Sequence, residues 1–152
     1  MKKICLIASG GGHLEQIKQL KDVIDNNDCF FVMTKTNVNT NIKNRKYYIN
    51  DKPEGNLIKK IWILILLTIQ SIKIIIRENP DVVISTGAGN TIPFCYLSKV
   101  FGKKIIYIES FARIQTPNKT GKLMYPIADL FIIQWKELQK YYPNAIYGGW
   151  IY

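Results

Sequence analysis

Three consecutive glycines followed by a histidine form the stretch of this sequence best suited to chemistry. Gly10, Gly11 and Gly12 follow an apolar run, and His13, the only histidine of the chain, precedes a segment of helical periodicity. Glycines let a backbone approach an anion closely, and a helix start supplies unpaired N–H donors. The pattern predicts a phosphate or diphosphate site, and the alternative is a tight turn between a strand and a helix.

The type of residue at position 13 gives it two candidate chemical roles. An imidazole with an ordinary pKa of about 6.5 can accept a proton from an attacking hydroxyl or form a hydrogen bond to a phosphate. A purely structural role at the helix start is the alternative to both. His13 is therefore predicted to be catalytic or to contact a ligand.

Two familiar nucleotide-binding motifs do not match the glycine loop. A dinucleotide fingerprint requires a further glycine inside the helix start and an acidic residue at the end of the second strand, whereas Gly12 is followed by Leu14, Glu15 and Gln16 and the second strand ends at Lys35. A Walker A loop requires G-x-x-x-x-G-K-[ST], and the nearest string, at 120–123, lacks both the first glycine and the final hydroxyl. Neither NAD binding nor ATP or GTP hydrolysis is expected.

Alternating strand and helix patterns surround this loop. Buried helical positions follow it at Leu14, Ile17, Leu20, Val23 and Ile24. A polar turn region at 36–41 separates the second and third of six predicted strands, which are Lys2–Ser9, Asp28–Lys35, Arg45–Asn50, Asp81–Ser85, Lys104–Ile108 and Leu130–Gln134. This alternation predicts a Rossmann-like, doubly wound α/β fold with a mainly parallel sheet and with ligand loops at the carboxyl ends of the strands.

Length and composition bound the class of protein. The chain has 152 residues, of which 47% are hydrophobic and 21% charged, and no low-complexity tract interrupts it. We therefore expect a single globular domain over residues 1–152, with a first strand rather than a signal peptide at its start. Cys5, Cys29 and Cys95 lack metal-ligand spacing and are predicted to be reduced thiols. Neither a metal nor a cofactor is expected.

The net charge of +10 points to an anionic partner or to a basic solvated surface. Nucleic acid and an anionic membrane are the two candidate partners. No helix-turn-helix pattern or aromatic strand platform supports a nucleic-acid module.

The most apolar segment, 57–76, favours the membrane. Its uncharged core is far shorter than the roughly 20 residues that a spanning helix requires. Lys59, Lys60 and Lys73 flank this core and Trp62 lies within it, as expected for a helix that lies in the bilayer interface. A crossover helix packed on the sheet is the alternative, and the two interpretations are compatible because the segment is apolar nearly all round.

Four motifs in the expected order resemble one protein family. They are GGGHLEQI, NPDVVISTGAGNTIP, YIES followed by Arg113, and YPIADLFIIQW. Together they resemble the acceptor-side membrane subunit of two-part glycosyltransferases, namely the asparagine-linked glycosylation protein fourteen family and its bacterial PssD-type capsule and exopolysaccharide counterparts. That family is similar to the N-terminal half of the peptidoglycan lipid-intermediate N-acetylglucosaminyltransferase, a two-domain GT-B enzyme.

The resemblance implies a function and a partner. It implies a subunit that extends an undecaprenyl-diphosphate-linked sugar at the cytoplasmic face of the membrane, during capsular or exopolysaccharide synthesis. A separate donor-binding chain would supply the UDP-sugar site, since 152 residues provide one of the two domains of a GT-B enzyme. The alternatives are a non-catalytic membrane anchor that activates a partner glycosyltransferase, and a self-sufficient nucleotide-binding enzyme.

The resemblance also implies roles for single residues. The first glycine loop would face the acceptor's diphosphate, and His13 and Glu109 would be catalytic. A second glycine loop and a phosphate-clamping arginine would complete the acceptor site, with the residues Thr86, Gly87, Gly89, Asn90, Thr91 and Arg113. A simple turn at the second loop, and a salt bridge between Glu109 and Arg113, are the structural alternatives.

Overall fold

A seven-stranded sheet organises the chain, which the computed structural model describes over residues 1–34, 41–51 and 54–151. Every pair of neighbouring strands is parallel. The strands are β1 (Lys3–Ala8), β2 (Asp28–Thr34), β3 (Arg45–Ile49), β4 (Val82–Gly87), β5 (Lys104–Ile108), β6 (Leu130–Ile133) and β7 (Ile146–Tyr147). Their order is β3-β2-β1-β4-β5-β6-β7, which confirms the predicted Rossmann-like fold and places the topological switch point between β1 and β4.

In the described ranges, five α-helices and two 3₁₀ turns connect the strands. The helices are α1 (Gly12–Lys18), α2 (Lys21–Asp25), α3 (Leu57–Glu78), α4 (Ile92–Val100) and α5 (Lys119–Met124), and the 3₁₀ turns are Gly89–Thr91 and Lys136–Leu138.

Apolar side chains cover both faces of the sheet. Along β1, Cys5 and Ile7 pack with α3, α4 and α5, whereas Leu6 and Ala8 pack with α1. This alternation follows from the two-residue repeat of a strand. Because both faces are buried, ligands can reach the sheet only at its ends.

Most predicted strand bounds agree with the structure to within one or two residues. The fourth strand was expected to end at Ser85, but β4 continues to Gly87. Lys35 and most of the polar region at 36–41 lie outside the described residues. The short β7 was not predicted.

The single helical face predicted from Leu14 to Ile24 is divided between α1 and α2. The amides of Gln19 and Leu20 bond to carbonyls three residues earlier, at Gln16 and Ile17. These 3₁₀-type bonds tighten the last turn and end α1. The partly buried side chains of α2 nevertheless pack on the same face of the sheet as α1.

Helix α3 has a buried half and an exposed half. Asn56 caps its first turn by accepting a hydrogen bond from the Lys59 amide over 2.9 Å. Asn79 ends it in the left-handed conformation, with φ 45°. The buried residues all lie in the C-terminal part, at Leu67, Ser71, Ile74, Ile75 and Glu78.

The exposed half of α3 projects beyond the carboxyl edge of the sheet. The Asn50 amide, directly after β3, donates to Oε1 of Gln70 over 3.0 Å, so Gln70 is level with the end of that strand. From Gln70 back to Leu57 the helix rises about 20 Å. This half carries a strongly exposed apolar surface at Leu57, Ile58, Ile61, Trp62, Leu64, Ile65 and Ile69. Within the described ranges, no helix combines the length and the apolar composition needed to cross a bilayer.

Candidate functional site

The first glycine loop joins β1 to α1 at the carboxyl edge of the sheet. Gly11 has φ 82°, a conformation that glycine adopts most readily, and its carbonyl accepts the first helical bond from the Glu15 amide over 3.1 Å. The Gly10 amide donates to Oγ1 of Thr34, at the end of β2, over 3.0 Å. The loop is therefore attached to two neighbouring strand ends.

At Gly12 in the first loop and Gly89 in the loop after β4, neither the backbone conformation nor the packing requires glycine. A Cβ added at Gly12 or Gly89 would meet no atom within 4 Å, and neither residue has a positive φ. A tight turn explains Gly11, but it does not explain Gly12 or Gly89. Bare backbone facing open space is what close approach by a ligand requires.

The second glycine loop follows β4 and is held by its own hydroxyl groups. Thr86 donates to the His13 carbonyl over 2.8 Å, and Thr91 donates to the Ala88 carbonyl over 2.8 Å. Both threonines are fully buried. Their hydroxyls hold the loops together in this structure, so their predicted contact with a ligand gains no support from it.

The His13 side chain lies directly against this second loop. A Cβ at Gly87 would stand 3.2 Å from Cε1 and 3.4 Å from Nδ1 of the imidazole ring. Together with the bond from Thr86, this contact brings the two predicted glycine loops and the histidine into one site. Burial lowers the pKa of His13 below its ordinary value, so the ring is neutral at neutral pH.

Asn90, also predicted from the sequence, is almost completely buried in the second loop. Its side chain is 1% exposed, and Nδ2 has no hydrogen-bond partner within the described part of the chain. Buried polar atoms in proteins are nearly always hydrogen-bonded, so an unpaired one beside a glycine loop suits a place where a ligand or solvent completes the site.

Glu109 lies in the interior, at the end of β5. Its Oε1 accepts hydrogen bonds from the Ser110 amide over 2.8 Å and from Asn118 over 2.7 Å, and its Oε2 accepts one from Tyr142 over 2.9 Å. Burial raises the pKa of this carboxyl, and these donors oppose the rise. Such an arrangement favours a structural or positioning role, and the predicted catalytic role of Glu109 stays untested.

Arg113 lies in the exposed segment after β5. Its amide donates to the Ser110 carbonyl over 2.9 Å, and its guanidinium is not one of the hydrogen-bond donors to Glu109. The predicted phosphate contact of Arg113 remains compatible with this exposure and is untested.

Two buried glutamines were missed by the sequence reasoning. Gln134 Nε2 donates to the Glu109 carbonyl over 2.9 Å and to Oε1 of Gln16 over 3.4 Å. Gln16 in turn accepts from the Phe111 amide over 3.4 Å. These bonds tie α1 to the ends of β5 and β6. For Gln134 the available signal was a polar residue at the end of an apolar predicted strand, whereas Gln16 lies off the predicted helical face and gave no signal.

A polar cleft lies beside the first glycine loop, at the ends of β2 and β3. Its volume is about 390 Å³, within the range of small-molecule sites. Thr34 connects it to Gly10, and Gln70 of α3 forms the opposite wall. The remaining described lining residues are Tyr48, Ile49, Asn50 and Asp51.

The predicted membrane-associating residues form a separate surface on α3. Lys59, Lys60, Trp62 and Lys73 are all exposed, and the indole of Trp62 is 61% exposed. Trp62 and its two neighbouring lysines belong to the half of α3 that projects beyond the carboxyl edge. Across residues 1–34, 41–51 and 54–151, no group of three or more histidine, cysteine or acidic side chains is placed to hold a metal ion.

Strand order and ligand loops define a Rossmann-like domain of the kind found in GT-B enzymes. Acinetobacter baumannii MurG superposes with a TM-score of 0.73 at 16% identity, over 90% of this chain and 43% of MurG. A UDP-N-acetylglucosamine 2-epimerase from Rickettsia bellii superposes with a TM-score of 0.73 over 94% of this chain and 41% of the epimerase. The chain thus spans less than half of either structure.

Sequence similarity then identifies the family. The family described as "Oligosaccharide biosynthesis protein Alg14 like" matches residues 54–151, and the chain belongs to it. The human UDP-N-acetylglucosamine transferase subunit ALG14 is 29% identical over 96% of this chain and 81% of its own length. The Schizosaccharomyces pombe subunit is 28% identical over 97% of this chain and 82% of its own length. The resemblance inferred from the motifs is confirmed.

Proposed function

We propose that this chain is the acceptor-binding, membrane-associated subunit of a two-component glycosyltransferase. It holds a lipid-linked sugar diphosphate, and a separate donor-binding chain supplies the UDP-sugar. The human and fission yeast relatives are UDP-N-acetylglucosamine transferase subunits, which supports both the reaction class and the subunit role. The resemblance of the sequence motifs to bacterial capsule and exopolysaccharide proteins extends the proposal to an undecaprenyl-diphosphate acceptor at the cytoplasmic face of the membrane.

One spatial relationship carries the proposal. The apolar half of α3 and both glycine loops lie at the same end of the molecule, beyond the carboxyl ends of the strands. An exposed apolar helix flanked by lysines suits the interface of an anionic membrane. Insertion of this half would bring the glycine loops towards the headgroup layer, where the diphosphate of a lipid-linked sugar lies.

The glycine loops provide a suitable environment for that diphosphate. Gly12 and Gly89 expose bare backbone, and the neutral imidazole of His13 lies between the two loops. The loops lack the residues of dinucleotide and Walker A motifs, so a lipid diphosphate is a better candidate than a nucleotide.

The cleft between Thr34 and Gln70 suits the sugar of the same acceptor. Hydroxyl and amide groups line it together with the phenol of Tyr48, which is 43% exposed. Polar groups of this kind can exchange hydrogen bonds with sugar hydroxyls, and an aromatic ring can pack on a sugar face. Since Thr34 also binds the first glycine loop, diphosphate and sugar would occupy adjoining sites.

A second exposed surface suits the donor-binding partner. Phe111, Trp135 and Trp150 form an aromatic cluster beyond β5 and β6, with ring centroids 5.1 to 5.8 Å apart. Trp150 is 60% exposed. Large aromatic residues dominate the binding energy of many protein interfaces, and this cluster lies at the edge of the sheet where the acceptor would be presented.

The second candidate function is that of a membrane anchor that activates a partner carrying all the chemistry. The internal position of Glu109 favours it, because it leaves His13 as the one predicted catalytic side chain beside the glycine loops. The two functions differ in one respect: an anchor needs α3 but has no acceptor site. Variants of the glycine loops would then leave the acceptor KM unchanged.

Reconstitution tests the proposal. The companion is identified by co-expression pull-down with neighbouring reading frames, and transfer from UDP-N-acetylglucosamine to a short-chain polyprenyl-diphosphate sugar is measured with each chain alone and with both. We expect activity only with both chains, and no binding of UDP-N-acetylglucosamine to this chain by calorimetry. Transfer by the isolated chain would contradict the two-component proposal. An acceptor KM unchanged in Gly12→Val would support the anchor instead.

A further inference from the structure

Two buried polar atoms lie behind the second glycine loop without a hydrogen-bond partner. Nδ1 of His13 makes no hydrogen bond in the described portion of the chain, and the Tyr107 hydroxyl makes none of normal geometry there, although the Asn118 side chain lies close enough to act on its pKa. Both lie against Gly87, where an added Cβ would be 3.4 Å from Nδ1 and 3.2 Å from the hydroxyl oxygen. The structure shows no direct hydrogen bond between the two atoms, so a shift of the His13 ring or one bridging water is needed to join them.

The fold explains why the two side chains meet. Tyr107 lies on β5 opposite Ser85 of β4, and Gly87 follows two residues later at the end of β4. The Tyr107 ring is fully buried and packs on Phe131, with ring centroids 5.0 Å apart. Because Gly87 has no side chain, the His13 ring and the Tyr107 hydroxyl can both lie against the end of β4.

The neighbours of Tyr107 set the direction of the hydrogen bond. Burial and the nearby carboxylate of Glu109 raise the pKa of Tyr107 well above its ordinary value, and the Asn118 side chain only partly opposes this, so the hydroxyl keeps its single proton. Both oxygens of Glu109 already accept hydrogen bonds from other groups. Among the described atoms next to Gly87, Nδ1 of His13 is the buried acceptor that still lacks a donor.

We infer that Tyr107 is a positioning residue for His13, because its hydroxyl donates to Nδ1 and so places the proton of the neutral imidazole on Nε2. Nδ1 is the ring nitrogen that is both buried and unpaired among the described atoms, and the inference therefore assigns Nδ1 to Tyr107 and Nε2 to the ligand. The consequence for activity rests on the proposed function: His13 presents Nε2–H to a phosphate oxygen of the acceptor, as a hydrogen-bond donor rather than a general base.

The single histidine makes this inference directly testable. In the isolated chain, uniformly labelled with ¹⁵N, long-range ¹H–¹⁵N spectra report the protonation of both ring nitrogens of His13 without overlap. At neutral pH we expect the proton on Nε2 and a hydrogen-bonded acceptor signal for Nδ1. In Tyr107→Phe, which keeps the ring and removes the donor, the Nδ1 signal should move to that of a free acceptor nitrogen.

Tyr125→Phe is the matched control for this measurement. Tyr125 packs on the same Phe131, with ring centroids 5.1 Å apart, but its hydroxyl accepts a hydrogen bond from the Asn144 amide over 2.8 Å. This variant should leave the His13 signals unchanged. Circular dichroism establishes that both variants are folded, and the wild-type spectrum is informative without any variant.

Two results would overturn the inference. One is a wild-type His13 protonated on Nδ1, and the other is an unaltered His13 spectrum in folded Tyr107→Phe. With the companion chain present, Tyr107→Phe should raise the acceptor KM about 3- to 10-fold and leave kcat within about twofold, as expected for a lost binding contact. A fall in kcat alone would contradict the donor role. Because the spectra use the isolated chain, absence of transferase activity would refute the proposed function without affecting the tautomer result.

Discussion

The Tyr142 hydroxyl donates to Oε2 of Glu109 over 2.9 Å, and Gly121 of α5 packs directly against that bond. Thirty-three residues separate the tyrosine from the glutamate in the sequence. The contact therefore ties the C-terminal part of the chain to the end of β5. It also explains how a carboxylate with no exposed surface is accommodated, since an ionised group in the interior requires hydrogen bonds to each oxygen.

Gly121→Ala should destabilise the protein by about 2 kcal/mol. The added Cβ would overlap Oε2 of Glu109 and stand 2.6 Å from the Tyr142 hydroxyl. The higher helix propensity of alanine offsets only part of this cost. Urea denaturation followed by circular dichroism measures the change. Gly12→Ala is the control, because its Cβ meets nothing within 4 Å and its stability should be that of the wild type. Equal stability of the two variants would show that the site around Glu109 can adjust.

The sequence predicted the sheet better than it predicted this buried polar cluster. Lys104–Ile108 is an example of a strand that is buried on both faces. Such a strand is a continuous apolar run, so it can be recognised from its own residues alone. Tyr107 and Glu109 are two residues apart and thus share a face, which was a usable but unused signal. The partners of Glu109 at Asn118 and Tyr142 depend on chain folding between distant segments, and no local periodicity encodes them.

Asp129→Asn should cost about 1 kcal/mol at pH 7, discounted for solvent screening of a partly exposed group. Hydrogen bonds from Lys99, the Ile105 amide and Lys104 lower the pKa of Asp129 from 3.8 to about 2. Because the pKa is lower in the folded state, the stabilisation is present above pH 3.8 and is lost as the pH falls through about 2.

Urea denaturation at a series of pH values measures this difference. The stabilities of wild type and Asp129→Asn should converge towards pH 2. A gap between wild type and Asp129→Asn that stays constant down to pH 2 would show that the lysines do not lower the pKa of Asp129.

Changing Lys59, Lys60 and Lys73 to glutamate together should release the chain from anionic vesicles. The wild type should co-sediment with vesicles containing phosphatidylglycerol and dissociate as salt is added, because exposed charges are screened. Trp62→Ser should weaken binding at all salt concentrations, since it removes apolar contact rather than charge. Trp150→Ser is the control, as this indole is 60% exposed against 61% for Trp62 but lies outside α3. Equal losses from the two tryptophan variants would contradict a membrane role for α3.

Apolar content alone did not distinguish the two halves of α3. The sequence predicted a helix that could pack on the sheet and meet lipid, and the structure separates a buried C-terminal part of α3 from an exposed apolar N-terminal part. The division arises because β3 ends at Ile49, level with Gln70, so the first turns of α3 extend past this strand, and Leu67 is the first fully buried residue of the helix. How far a helix extends past its neighbouring strand depends on how the sheet is assembled. The sequence of the helix alone does not show it.

Replacement of His13, tested in the reconstituted pair of chains, distinguishes a general base from a hydrogen-bond donor to the acceptor's phosphate. If Nε2–H binds a phosphate oxygen, His13→Ala should raise the acceptor KM about 10- to 100-fold, the effect of losing one hydrogen bond to a charged group. His13→Gln should recover part of the loss, since its carboxamide supplies an N–H donor but cannot act as a base. Initial rates at varied acceptor concentration give both parameters, and pull-down with the companion controls for assembly.

A fall in kcat of about 10²- to 10⁴-fold in both variants, with unchanged KM, would instead assign His13 as the general base. The pH profile provides an independent check. Burial lowers the pKa of His13, so a base at this position would lose activity only below the ordinary range of histidine, whereas a donor would gain acceptor affinity as it protonates there. Rising acceptor affinity at low pH in the wild type, absent from His13→Gln, is therefore the result we expect.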